Sequence, residues 1–592
     1  MKSSIPFLFT LVTALLISSC GTETTPSYTV TTTASPAEAG SIELSPSGGT
    51  YDEGTQVTVT AAPNEGWAFS EWSGTASSSQ NPFTFTVDEN IDLTGVFIKK
   101  TYPLNVDVEG EGSVTEQVVS SQNKEYEHGT VVELTPVPDE GWTFSEWGGD
   151  LDGSQTPIEI TVDQERSVTA TFQKLFFLAE NGVTIKCPNA SPEDLGTVEG
   201  VEYEAVDRPL LNQRRDENAD LSQVCTSLVT DMSDLFSDSD FNQPIGNWDV
   251  SNVGEMISMF ENTPFNHPIG EWDVSSVFDM GSMFEESSFN QPIEDWDVSN
   301  VFNMGYMFSG TPFNHPLQDW DVASVTDMSR MFTESSFNQP IENWDVSNVE
   351  DMRVMFAQSS FNQPIGNWDV SSVNDMAFMF QSTPFDQPIG NWDVSNVTTM
   401  QRMFNNSSFN QSISSWDVSS VQDMNLMFSN SPFNQPVSEW DISNVTDISY
   451  MFDDTPFNQA LNDWNVSNVT DMDGVFSESE FNQSIADWDV SNVTRMDNMF
   501  DDSPFNQALN DWDVGNVTDM SAMFMDSNFD QPLGKWDVSS VTDMHSMFYR
   551  SDFNRNISGW CVSQIPDEPT RFASDSPLTE QNKPEWGTCP GN

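Results

Sequence analysis

From Phe241 onward the chain repeats itself every 24 residues, and this period limits the fold more than any other feature. The phrase Phe241-Asn242-Gln243-Pro244-Ile245-Gly246-Asn247-Trp248-Asp249-Val250-Ser251-Asn252-Val253 returns with little change. Its phenylalanine occurs fourteen times, from Phe241 to Phe553, and its tryptophan runs from Trp248 to Trp560, with no insertion or deletion between them. A fixed period of roughly 20–50 residues marks stacked repeat architectures, in which a unit too small to hold its own core folds only against its neighbours.

Two shorter periodicities sit inside each unit. Trp248, Asp249 and Val250 alternate, which predicts a short strand with Trp and Val inward and Asp outward. Val253, Met256, Met259 and Phe260 follow at i, i+3, i+6 and i+7, the spacing of one helical face, and Ser251 or Asn252 would cap that helix. Pro244 keeps the return loop out of a ladder. The expected fold class is therefore an α/β repeat solenoid of the leucine-rich-repeat type, with a short strand and a short helix in each 24-residue coil, spanning residues 224–561. Residues 175–223 and 562–592 would cap its ends, since open ends expose apolar side chains and unpaired edges.

Two small all-β modules precede the array, over residues 28–98 and 99–174. They share Gly40-Ser41 with Gly112-Ser113, Gly54-Thr55 with Gly129-Thr130, and Gly66-Trp67-Ala68-Phe69-Ser70-Glu71-Trp72 with Gly141-Trp142-Thr143-Phe144-Ser145-Glu146-Trp147. Alternating segments such as Gln56-Val57-Thr58-Val59-Thr60 predict half-buried strands. Trp67, Phe69, Trp142 and Phe144 share a parity and are assigned to the cores; Trp72 and Trp147 pack there too, with carbohydrate binding as the alternative.

The first twenty residues read as a targeting segment. Lys2 precedes an apolar run from Ile5 to Ile17, too short to span a bilayer comfortably, and then Leu16-Ile17-Ser18-Ser19-Cys20 resembles a lipobox. That resemblance implies a leader at residues 1–19, lipidation of Cys20 and a short linker over 20–27; an ordinary leader with an incidental cysteine is the alternative. Anchored so, the chain would touch the membrane only through its lipid. The four remaining cysteines form two sequence-local pairs, and export into an oxidising compartment predicts Cys187–Cys225 and Cys561–Cys589 disulfides rather than free thiols.

With 92 acidic and 19 basic residues the net charge is −73, which excludes phosphate-rich partners such as nucleic acid. Aromatic residues at 12% argue against disorder.

The phrases Trp-Asp-Val-Ser-Asn-Val-Thr-Asp-Met-Ser and Phe-Asn-Gln-Pro-Ile resemble those of the BspA-like leucine-rich-repeat surface proteins. The leader Asn181-Gly182-Val183-Thr184-Ile185-Lys186-Cys187 and the tail Trp586-Gly587-Thr588-Cys589-Pro590 are similar to that family's caps. The resemblance implies display at the cell surface or outer membrane and, for some relatives, adhesion to host or matrix proteins. It implies no catalytic residues.

Stacking would turn every repeat position into a column. Asp249, Asp273, Asp297, Asp321 and Asp345 begin an acidic column whose mutual repulsion must be offset, either by backbone N–H groups in Asx-type turns or by calcium. No cofactor is expected, with calcium as the alternative. The Asn242 column departs from asparagine only at Asp386 and Asp530 and reads as a hydrogen-bonded ladder. At 100° per residue, position 258 of a helix would point away from the core. Down the stack it carries Tyr306, Arg330, Val354, Phe378, Arg402, Leu426 and Tyr450 in seven consecutive coils, with Arg353 alongside. Such residues are favoured at contact surfaces, so this stripe is a candidate face for an extracellular protein or glycan; variation at a tolerant position is the alternative. His128, His267, His315 and His545 are scattered, and no nucleophile motif stands out. The expected function is non-catalytic adhesion by a monomer, with a passive coat or spacer stabilised by calcium as the second reading and a glycan-processing enzyme as a remote third.

Overall fold

The computed structural model describes residues 24–118 and 125–590; the leader at 1–19 and Cys20 lie outside the described residues. The chain divides into two compact units, with the boundary between Lys174 and Leu175.

The N-terminal unit holds the two modules. In the first, β1 (Ser27–Ser35), β3 (Thr50–Asp52), β5 (Trp67–Gly74) and β7 (Ile91–Lys99) form a sheet in the order β3-β1-β7-β5, and β2 (Gly40–Ser45), β4 (Thr55–Pro63) and β6 (Phe83–Val87) form a second. The second module repeats this with β8 (Thr101–Glu109), β9 (Gly112–Gln117), β10 (Glu125–Glu127), β11 (Thr130–Pro138), β12 (Trp142–Gly149), β13 (Ile158–Val162) and β14 (Arg166–Lys174). The β1–β7 and β8–β14 pairs are parallel. A bulge between Phe69 and Glu71, matched between Phe144 and Glu146, resets the parity of each strand. Trp67, Phe69 and Trp72 therefore all join one core despite their uneven spacing. Trp72 and Trp147 are buried, and their indole N–H groups donate to the carbonyls of Gln80 and Gln155 at 3.1 and 3.0 Å, which makes them core residues and leaves no ring face for a sugar.

The C-terminal unit opens with short pairs, β15 (Phe177–Leu178) with β16 (Ile185–Lys186), and β17 (Leu195–Val198) with β18 (Val201–Ala205), which also pairs with β19 (Val224–Cys225). Helix α1 (Arg208–Asp216) starts at Asp207, whose carboxylate accepts the Leu210 N–H at 3.0 Å, and sets Leu210 and Leu211 on the core of the first coils. Disulfides join Cys187 to Cys225 and Cys561 to Cys589.

The coils that follow overturn the expected fold class. Helix makes up 3% and strand 23% of the structure, and no coil contains a helix. The apolar side chains behave as their spacing predicts: Val253, Met256, Met259 and Phe260 are all fully buried. The backbone does not. In a helix each N–H would bond the carbonyl four residues back; here the N–H groups of Met256, Ser258, Phe260 and Asn262 donate to the carbonyls of Asp279, Gly281, Met283 and Glu285 in the next coil, at 3.0, 2.9, 2.9 and 2.7 Å. Between these bonds the chain makes tight turns, such as Met259 N–H to the Met256 carbonyl at 3.3 Å. Ser258 and Asn262 take left-handed φ values of 51° and 50°, as do their equivalents throughout. Two left-handed residues four positions apart in each coil stop helix propagation yet keep the apolar side chains on one side. The predicted strand at Trp248–Val250 is also absent, although the Trp and the Val (Ile442 in one coil) are buried in every coil. A single parallel bridge links each coil to the next, running Asp231↔Glu255↔Asp279 and onward to Asp543. Neither Ser251 nor Asn252 caps a helix; Asn252 Nδ2 instead donates to the Ser227 carbonyl at 2.9 Å.

The register of 24 residues is continuous. Trp248 stacks on Trp272 at 6.5 Å, Phe260 on Phe284 at 5.6 Å and Phe265 on Phe289 at 6.2 Å, and the same contacts recur down the array. Each buried indole N–H reaches the carbonyl 27 residues back, as Trp272 does to Ile245 at 3.2 Å. Nothing polar is left unpaired in that column, which is what allows so large a ring to be buried fourteen times over.

Candidate functional site

The aspartate column is occupied by the protein's own donors. Asp273 Oδ1 accepts the Ser275 hydroxyl at 2.5 Å and the Ser275 N–H at 3.2 Å, and the pattern recurs at Asp249, Asp297 and Asp345. At Asp321 only the Ala323 N–H remains, at 3.2 Å. The serine hydroxyl first, then the backbone N–H, holds the Asp297 and Asp345 carboxyls below their ordinary range. Among the described residues, no group of three or more His, Cys, Asp or Glu is placed to hold a metal ion. A second acidic column does the same work: Asp279, Asp327 and Asp351 accept the N–H two residues on, at 3.0, 2.8 and 3.0 Å.

The asparagine column is a ladder. Asn266 Oδ1 accepts the Asn290 N–H at 2.9 Å and Gln291 Nε2 at 3.0 Å, and the later coils that carry the glutamine repeat the pair. Asp386 serves equally, accepting the Asn410 N–H and Gln411 Nε2, both at 2.9 Å. His267 and His315 stand in for the glutamine, each ring nitrogen lying 3.1 and 3.2 Å from the carbonyls of Asn242 and Asn290. They are ladder rungs rather than ligands.

The stripe at position 258 lies at the surface, but its geometry differs from the helical expectation. All of its residues are left-handed, from Tyr306 (φ 60°) through Arg330, Val354, Phe378, Arg402 and Leu426 to Tyr450 (φ 54°). Arg330 is exposed, and the other six are half-buried against one another. The Arg330 guanidinium lies 5.2 Å from the Tyr306 ring centre, and that of Arg402 lies 5.5 Å from Phe378. Arg353 turns aside to Asp351 at 3.1 Å.

Two further features were not anticipated. Phe278 and Phe302 are exposed and stacked at 6.0 Å. Arg495 sits where most coils carry an acid and bridges Asp471, Asp473 and Asp497 at 3.1, 2.7 and 3.0 Å. The ring of Tyr450 covers Gly474, where an added Cβ would lie 2.3 Å from it, and its hydroxyl is 3.4 Å from Asn498 Nδ2. Burial, then Asp473, raises the Tyr450 phenol; burial also raises the Asp473 carboxyl and pushes Asp501 up to about 7. The available signal was the break in period: serine, glycine or alanine is commonest at the positions of Asp473 and Asp497.

A family model described as "Mycoplasma protein of unknown function, DUF285" matches residues 208–315, 311–407, 382–485 and 470–586. One described as "Divergent InlB B-repeat domain" matches residues 28–101 and 102–175. No curated protein matches the chain.

Proposed function

We propose that this chain, which belongs to the DUF285 family, is a non-catalytic protein displayed outside the cell on a lipid at Cys20, and that it captures an extracellular partner through the outward columns of its coils. The two disulfides fit an oxidising compartment. The repeat family and the N-terminal modules are compatible with adhesion or a structural role.

One observation favours binding over a passive coat. Left-handed backbone suits Gly, Asn and Asp and costs other residues about 1–2 kcal/mol each. The neighbouring left-handed column follows that preference in many coils, with Asn262, Gly310, Asn406, Asn430, Asp454 and Asp502. The stripe defies it in seven successive coils, from Tyr306 to Tyr450. Backbone geometry does not select those side chains, and contact with a partner would account for them.

The test replaces Tyr306, Phe378 and Tyr450 together with serine and measures capture on immobilised matrix proteins and glycans, with and without calcium. Loss of capture with a melting temperature changed by only a few degrees is expected. Undiminished capture removes the stripe from the function, and calcium dependence would assign the aspartate columns a part in it.

A further inference from the structure

The outward face is not chemically uniform. In the three coils spanning 374–430, the positions equivalent to 257, 258, 261 and 262 carry twelve residues with no carboxylate and a single cation, Arg402. Of the five acids on these coils, Asp375 and Asp423 are turned to the N–H groups of Ala377 and Asn425, both at 2.9 Å, while Asp386, Asp393 and Asp417 accept the N–H groups of Asn410, Ser395 and Ser419 in the ladder and aspartate columns. The next coils restore the acidic character with Asp453, Asp454, Asp473, Glu478, Asp497 and Asp501. In a chain of net charge −73, a neutral window three coils long stands apart.

Amides fill this window, and they run in file along the stack. Gln401 Nε2 donates to Asn425 Oδ1 at 3.4 Å, and Asn425 Nδ2 donates to the Ser449 carbonyl at 3.2 Å. Gln381 Nε2 donates to Asn405 Oδ1 at 3.3 Å, and Asn430 Nδ2 to Asn406 Oδ1 at 2.9 Å. An amide has two N–H donors and a carbonyl with two lone pairs, so Gln381, Gln401 and Asn430 keep both functions for solvent after bonding their neighbours, whereas Asn425 gives both N–H groups to Ser449, to its carbonyl and its hydroxyl, and keeps only acceptor capacity. Among them the Phe378 ring, overlain by the Arg402 guanidinium, offers an apolar edge.

Resting on the binding reading above, we infer that this window is the contact site and that its ligand is a neutral glycan chain. Vicinal hydroxyls both donate and accept, as amides do, whereas carboxylates only accept and ammonium groups only donate. The C–H face of a sugar suits a ring edge. A basic partner is drawn to the adjacent acidic coils, and a polyanion is repelled by the whole chain. An apolar segment would leave the amides unpaired.

Affinity electrophoresis of the full chain tests this, with gels containing dextran, a mannan, a β-1,3-glucan or a galactan, and with alginate as the acidic counterpart. Retardation by at least one neutral polysaccharide and none by alginate is expected. Gln401→Ala combined with Asn425→Ala should weaken retardation about ten-fold, consistent with the loss of one or two hydrogen bonds. Phe378→Ser should weaken it independently, while Asp454→Asn in the acidic coils should not. Free passage through every neutral gel, or equal retardation of the amide variants, overturns the glycan assignment. Capture of an immobilised protein through the stripe in that case leaves the binding reading standing, while no capture of any probe overturns both.

Discussion

The asparagine ladder makes a sharp prediction at Asn338. Its Oδ1 accepts the Asn362 N–H at 2.9 Å and Gln363 Nε2 at 3.0 Å, and both partners are half-buried. Alanine at this position strands the Asn362 N–H, which costs about 1–3 kcal/mol, and loses the glutamine bond, worth about 0.5–1.5 kcal/mol net. Water reaches part of this edge, so a combined loss of about 2–3 kcal/mol is expected. Aspartate keeps both acceptors, as Asp386 and Asp530 do in their own coils, and should cost under about 1 kcal/mol. In a stack coupled mainly between neighbours the loss stays local, so amide hydrogen exchange is the appropriate assay. Peptides covering Asn362 should exchange about 30- to 160-fold faster in Asn338→Ala, at 1.36 kcal/mol per decade, and nearly as wild type in Asn338→Asp. Equal protection in both variants, or aspartate as harmful as alanine, would refute the ladder as a source of stability.

Other outcomes follow from features already described. Asp501 is raised to about 7 by burial and then by Asp526, Asp502 and Glu478, so the folded state holds its proton more tightly than the unfolded chain. Its stabilisation is present in full below about pH 4 and is lost as pH rises through 7; Asp501→Asn should flatten the fall in urea stability between those limits. Asp297 and Asp345, with lowered values, act in the opposite direction and lose their stabilisation only on further acidification. The Cys187–Cys225 bridge closes a sequence separation of 38 residues, so Cys225→Ser should cost about 4 kcal/mol by chain entropy, read as faster exchange in residues 187–236. Deleting residues 362–385 removes one whole coil and should leave neighbouring protection and circular dichroism per residue unchanged. Deleting 362–384 shifts every later column by one position and should unfold the flanking coils.

Much of this was legible in the sequence because side-chain burial follows composition more directly than backbone geometry does. The tryptophan, valine and methionine columns and the in-register stacking follow from spacing alone, and both cysteine pairs from their local grouping together with the expected export. The serine turn on most of these aspartates was legible because Asp-Val-Ser is a local motif whose chemistry needs no neighbour. The helix was not correctly read, since Val253, Met256, Met259 and Phe260 have the same spacing whether their turns bond four residues back or to the next coil. The deciding trace was the recurrence of Asn, Gly and Asp at position 262, a left-handed preference that a helical reading hides. The amide window is not visible in any one variable column, because its character lies in four taken together. The cluster at Arg495 arises from substitutions in adjacent coils, which no single repeat displays.

The direction of the inter-coil bonds bears on how such a chain matures. Every tryptophan N–H reaches back to a carbonyl in the coil before it, and every ladder asparagine waits for the N–H of the coil after it. A polypeptide that emerges amino end first therefore offers each newcomer an edge that carries both acceptors for its indole and ladder N–H groups and backbone N–H donors for its carbonyls. Assembly can proceed as a ratchet, one turn at a time, without waiting for the distal end. The disulfide-bonded segment before the first coil then acts as a primer, and its loss should delay the growth of everything downstream.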